Sequence, residues 1–238
     1  MLSSKNERLA QIREQMEAAC KAAGRSPSSV TLLAVSKTKS WEEVRDFRLL
    51  GLSEFGENYV QEGVAKASAL AAWEEKNPQA TKVNWHFIGN LQSNKAKFIP
   101  GTFSLFHALD SLSLAAKISR AAEAKGSVQD CLIEINLDHE ASKGGLHPEV
   151  VAKFLEELNP LAGLNVKGLM CIPAPLSNRS QREPFARLRE LKDALNHAGA
   201  YRHPLTELSM GMSGDFSDAI LEGSTVIRVG TSLFGARN

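Results

Sequence analysis

Short apolar runs and amphipathic stretches alternate along this chain from about residue 30 to its end, and that alternation is the strongest limit on its fold. The runs "VTLLAVSK" (30–37), "CLIEINL" (131–137) and "VKGLMCIP" (166–173) are apolar nearly throughout. Strands buried on both faces of a parallel sheet have this composition. "LSEFGEN", "VNWHFIG", "SLFHALD", "TELSMG" and "STVIRVGTSLFG" bring the number of expected strands to eight. Between them lie stretches with helical spacing, such as Phe185, Leu188, Leu191 and Leu195 on one face of a helix over 181–197. Parallel strands need crossover connections, and eight such units over 238 residues fit a closed (β/α)8 barrel better than an open doubly wound sheet.

The expected architecture is therefore α/β: a single (β/α)8 TIM barrel, with residues 1–238 forming one domain. The chain stops just after the eighth strand, which leaves no room for a last barrel helix. An amphipathic opening helix, with Leu9, Ile12, Met16 and Cys20 at helical spacing, is expected to cover that place. Ser4 with Glu7, and Ser40 with Glu43, have the spacing of capping boxes for the first two helices. "CIPAPLSNRS" (171–180) reads as a loop on the catalytic rim.

Charge excludes some partners. With 28 basic and 27 acidic residues there is no overall field to attract nucleic acid or an anionic membrane, so an anionic ligand must be caught locally. Cys20, Cys131 and Cys171 are odd in number and far apart, which argues against a disulfide framework or a thiolate zinc site and fits a reducing, cytoplasmic setting. The first residues carry charge where a signal peptide needs an apolar core, and no apolar run reaches membrane-spanning length.

In such a barrel, ligands bind at the carboxyl ends of the strands, with phosphate commonly held after strands seven and eight. "SMGMSGDF" follows strand seven, with Gly211 and Gly214 allowing close backbone approach and Ser213 offering a hydroxyl before a short helix. Strand eight adds Gly230 and the hydroxyl of Thr231. Closure makes strand one the neighbour of strand eight, so Lys37, on the strand face of Leu33 and Val35, is expected beside this anion site. An amine next to a phosphate cradle suits a ligand with an aldehyde at one end and a phosphate at the other. Arg228 shares the strand face of Gly230 and can aim at a ring nitrogen or at the anion. His86 reads as a hydrogen-bonded core residue and Asn58 as a turn, cap or ligand contact.

"LLAVSKTK", "FGENYVQE", "WHFIGNLQSNK", "GLMCIPAP", "LSMGMS" and "STVIRVGTSLFGAR" together resemble the pyridoxal phosphate homeostasis proteins, in one order over nearly the whole chain. The resemblance implies a barrel of the alanine racemase amino-terminal type that binds pyridoxal 5'-phosphate without well-established catalysis. It implies that Lys37 forms the Schiff base with the cofactor, and that Ser213, Gly230 and Thr231 contact its phosphate, with backbone help near Met212. It places Arg228 opposite the pyridine nitrogen and Asn58 near the ring. Gly144, Gly214 and Ser217 depart from residues usual in the family. Lys39 and Lys143 are candidates for a second linkage, with Lys37 preferred and Lys39 in the rim loop.

A role in intracellular vitamin B6 homeostasis follows, with cofactor-dependent apoenzymes as transient acceptors, no nucleic acid or membrane partner, and a monomeric state. The alternative is an amino acid racemase-like enzyme of low activity, for which a second base is needed. Tyr59 and Tyr201, the only tyrosines, are not evident candidates. Independent of the resemblance, a barrel lysine beside a phosphate site would also serve a Schiff-base aldolase.

Overall fold

The structure is a computed structural model that describes residues 2–77, 82–138, 140, 143–174 and 182–235. Eight strands close into a parallel barrel in sequence order: β1 (Thr31–Val35), β2 (Glu54–Glu57), β3 (Asn84–Phe87), β4 (Leu105–Leu109), β5 (Gln129–Ile135), β6 (Leu164–Cys171), β7 (Glu207–Met212) and β8 (Val226–Val229). The seam joins β1 to β8, with Leu33 opposite Arg228 and Ala34 opposite Val229. This sets the end of β1 beside the loops that follow β7 and β8, as strand counting required.

The outer layer is α1 (Leu2–Ala22), α2 (Trp41–Leu49), α3 (Val60–Glu74), α4 (Leu112–Glu123), α5 (Val151–Leu158), α6 (Arg182–His197), α7 (Phe216–Leu221) and α8 (Thr231–Phe234). Each long helix turns an apolar stripe to the barrel; on α5, Val151, Phe154, Leu155 and Leu158 are all buried. The capping box expected for α2 forms: Ser40 Oγ accepts from the Glu43 N–H, and Glu43 Oε2 accepts from the Ser40 N–H. The short helix expected near Asn94–Phe98 has the tighter 3-10 geometry over Ser93–Phe98, and the helix expected over Pro148–Leu158 opens with a 3-10 turn, Pro148–Val150, before α5.

Two expectations are corrected. Helix α1 begins at Leu2, so Ser4 and Glu7 lie within it and do not cap its start. A one-turn helix, α8, follows β8 where none was expected, between Gly230 and Gly235, whose φ of +87° ends the turn. Its Leu233 and Phe234 are buried, and α1 packs across both α7 and α8. Arg8 Nε donates to the Leu233 carbonyl at 2.6 Å, and the Phe234 ring meets Phe47 of α2 edge-on at 4.8 Å. The opening helix thus covers a shortened last helix. The rim loop expected over 171–180 falls outside the described residues beyond Ala174.

Barrels of this kind usually fill their interior with branched apolar side chains. Here His86, His107, Ser209, Glu134 and Arg228 are all buried on the strands. A core that gives up apolar packing for so many polar groups must satisfy them, and where it does not, a ligand is the natural partner.

Candidate functional site

At the carboxyl end of the barrel a cavity of about 380 Å³ opens between β1, β2, β7 and β8. All seven predicted site residues line it: Lys37 after β1, Asn58 after β2, Met212, Ser213 and Arg228 from β7, its loop and β8, and Gly230 with Thr231 at the β8–α8 junction. Val35, Ile88 and Ile172 supply apolar wall. Lys39 is turned into the bend after β1, with its N–H on the Ser36 carbonyl, and does not line the cavity. Lys143 pairs with Glu140 at 3.0 Å and reaches the Ile172 carbonyl at the cavity edge.

The bend that carries Lys37 is strained and buttressed. Thr38 has φ +65°, the single positive φ among described residues other than glycine, in a region that disfavours β-branched side chains. Its N–H is held by Glu62 Oε1 at 2.6 Å. Lys66, buried on α3, donates to the Ser36 carbonyl (2.6 Å), to Glu57 Oε1 (2.8 Å) and to Glu62 Oε1 (2.6 Å). Ser36 Oγ donates to the same Glu57 oxygen at 2.5 Å. Burial pushes the Glu57 carboxyl above its usual range, against the pull of Lys66. This knot under β1 fixes where the Lys37 side chain leaves the strand.

The β7–α7 loop is shaped by Gly211, whose φ of +91° and whose approach to Phe216 Cα (2.9 Å from an added Cβ) exclude other residues. Met212 gives its N–H to Asp215 Oδ1 at 2.6 Å, so the backbone help expected from Met212 is committed within the loop. An added Cβ on Gly230 would touch Val35 at 3.4 Å, which lets the backbone pass close to β1 and turn its next residues toward the cavity. The first N–H groups of any helix lack partners inside it, and at α8 these belong to Thr231 and Ser232.

Arg228 spans the floor. Its Nη1 donates to the Ser209 carbonyl and hydroxyl, both at 2.7 Å, and its Nη2 donates to the Cys171 carbonyl at 2.8 Å. Asn58 Oδ1 is buried without a hydrogen-bond partner, and so is Glu134 Oε2. Glu134, at the end of β5, is pushed up to about 7 by burial first and by the nearby charge of Asp110 second. Buried polar atoms left without partners are rare enough to mark a missing donor. Asn58 Oδ1 on the cavity wall therefore fits a ligand with a polar edge beside Lys37.

Comparison with known proteins places these features in a family. The family model for the alanine racemase N-terminal domain matches residues 8–238. The pyridoxal phosphate homeostasis protein of Aquifex aeolicus is 43% identical over 232 residues, 97% of each chain, and that of Pseudomonas aeruginosa is 42% identical over 238 residues, 100% of this chain and 97% of the relative. This chain is a member of the pyridoxal phosphate homeostasis protein family. Among solved structures, PipY of Synechococcus elongatus, with pyridoxal phosphate bound, is 36% identical, with a TM-score of 0.83 over 97% of this chain and 100% of its own. The alanine racemase of Clostridium difficile shares the fold at a TM-score of 0.66 and 16% identity, and the present barrel spans 57% of that enzyme.

For this homeostasis-family chain, residue patterns located the cavity but missed its supports. Lys66, Glu57 and Glu62 gave no signal, because a lone lysine on an amphipathic helix reads as solvated. The spacing of Glu62 and Lys66, i and i+4, was the one available hint. His86 is a bonded core residue, as expected, with Glu54 and His107 as partners at 2.9 Å each. Tyr201 is buried at the opposite end of the barrel, where its hydroxyl accepts from the Val166 N–H, and Tyr59 is exposed ahead of α3.

Proposed function

We propose that this protein binds pyridoxal 5'-phosphate and serves the intracellular homeostasis of that cofactor. The carrying observation is one cavity that gathers an amine, an arginine, two hydroxyls and an unpartnered amide oxygen, in a chain alike from end to end to a relative with the cofactor bound. Bound there, the cofactor supplies an electrophilic aldehyde for an amine. Lys37, on the cavity wall, is the amine that would hold it through that aldehyde. Ser213, Thr231 and the backbone at Gly230 hold the phosphate, with Met212 closing the loop side. Asn58 Oδ1 accepts from the polar edge of the ring.

Arg228 faces the pyridine nitrogen in this reading. A guanidinium donates only, so it keeps that nitrogen unprotonated and weakens the ring as an electron sink. This supports a binder without established catalysis; in our reading it works in the cytoplasm as a monomer and hands the cofactor to apoenzymes in transient contacts. Among the described residues no helix is long and apolar enough to cross a membrane.

The test is optical and chemical. Protein loaded with the cofactor should be yellow, Lys37→Ala should lose the band, and mass spectrometry after borohydride reduction should find the label on Lys37. A label on Lys39 or Lys143 alone would overturn the assignment. A second reading, weak racemase-like turnover of amino acids, is favoured by one feature: Glu134, with its unpartnered oxygen and a carboxyl pushed up to about 7, has the properties of a general base. Amino acid turnover that disappears in Lys37→Ala would establish it.

A further inference from the structure

Arg228 is a buried cation, and among the described residues no carboxylate lies within ion-pair distance of it. Its hydrogen-bond partners are the neutral oxygens of Ser209 and Cys171. Leaving a charge so placed is costly unless the surrounding dipoles are aligned to it. The interior supplies such an alignment. Ser209 Oγ is 2.9 Å from His107 Nδ1, His107 Nε2 is 2.9 Å from His86 Nδ1, and His86 Nε2 is 2.9 Å from Glu54 Oε2. From β8 the chain passes through β7, β4 and β3 to the foot of β2, where the Glu54 side chain meets solvent.

Donor chemistry gives this chain one direction. Arginine can only donate, so Ser209 Oγ accepts from Arg228. Ser209 is wholly buried, and among the described residues the remaining acceptor for its proton is His107 Nδ1. Burial, aided by His86 and Arg228, holds His107 well below the ordinary imidazole range, so this ring is neutral and carries its proton on Nε2. His86 must then accept at Nδ1 and donate from Nε2 to Glu54. Burial pushes the Glu54 carboxyl up, but the hydrogen bonds from His86 and Asn84 outweigh it and lower it overall, so it ends the chain as an anion.

We propose that Ser209, His107, His86 and Glu54 are positioning residues for Arg228: they lock its guanidinium plane in the cavity floor and provide its counter-charge from the opposite end of the barrel. The effect on the cofactor rests on the reading that Arg228 faces the ring; the proton order does not. Cooperative polarisation along such a chain strengthens each bond in it.

Nitrogen-15 NMR of the ligand-free protein at neutral pH should show both His86 and His107 with a bare Nδ1 and a protonated Nε2. A protonated Nδ1 on His107 would overturn the proposal. In cofactor-loaded protein, His107→Phe fills the space but cuts the chain, and should shift the visible band and weaken cofactor retention about tenfold, the worth of one hydrogen bond to a charged group. His107→Gln can accept and donate as the ring does and should restore both. Glu54→Ala, cut at the solvent end where the fold is tolerant, should move the band in the same direction as His107→Phe. An unmoved band and unchanged retention in both cut variants would also overturn it. A wild-type protein that takes up no cofactor counts against the function reading alone, because the ring tautomers are read without ligand.

Discussion

The two ends of the barrel are built to different standards. The amino-terminal end carries a groove of about 830 Å³, larger than the cavity at the other end. Its polar groups are paired: Asn165 Nδ2 donates to Asp130 Oδ1 at 2.7 Å, and Arg202 caps the carbonyl of Asn159 at 2.5 Å while its own N–H reaches Asn159 Oδ1. The carboxyl end has the smaller cavity, a strained Thr38, a buried lysine knot, and three buried oxygens with no hydrogen-bond partner, Glu57 Oε2, Asn58 Oδ1 and Glu134 Oε2. Size therefore does not mark the site. Unsatisfied polarity and stored strain do, because a fold retains them only where something else completes them.

The largest expected effect tests the knot. Lys66→Met leaves the Glu57 carboxyl buried with Ser36 as its remaining side-chain partner and should cost about 3 kcal/mol in urea unfolding. Asn165→Ala at the other end removes a part-buried bond to the Asp130 carboxylate and should cost about 1 kcal/mol, with cofactor retention unchanged. Equal costs would remove the contrast between the ends.

Glu134 gives the next effect through pH. Its folded value of about 7 lies above the 4.5 of an ordinary glutamate, so between those values the folded chain holds the extra proton. Stability is then fully present below about pH 4.5 and declines as pH rises through about 7. Wild type should lose about 3 kcal/mol over that window, and Glu134→Gln should flatten most of the slope, with the raised Asp110 and Asp215 carboxyls leaving a remainder. A slope unchanged in Glu134→Gln would place the proton elsewhere.

Much of this was legible in the chain because barrel closure converts order into position. Once eight apolar runs are counted, Lys37 and Arg228 must meet at the β1–β8 seam, whatever the loops do. The chain from Arg228 to Glu54 was not legible. Its members sit on five strands, and their contacts depend on stagger around the barrel, which no spacing along the sequence encodes. Helix α8 was missed for a local reason: "GTSLFG" reads as the tail of a strand until Gly230 and Gly235 are seen to bracket a turn. The strain at Thr38 was hidden as well, since a β-branched residue predicts extended backbone.

That strain yields the smallest effect and the sharpest test of the comparison. Thr38 adopts φ +65° because Glu62 holds its N–H and Lys66 holds the Ser36 carbonyl, which together bend the chain just after Lys37. Such a conformation costs about 1–3 kcal/mol for a residue of this type, whereas glycine adopts it freely but adds about 0.5–1 kcal/mol of freedom to the unfolded chain. Thr38→Gly should therefore raise stability by about 1 kcal/mol in thermal or urea unfolding. The same change loosens the bend, so Lys37 samples more directions and cofactor retention should fall while stability rises. A fall in both would mean that Thr38 contributes packing and that the bend stores no strain. A rise in stability with unchanged retention would mean that Lys37 is positioned by β1 alone, and that the knot at this end of the barrel serves the fold and not the site.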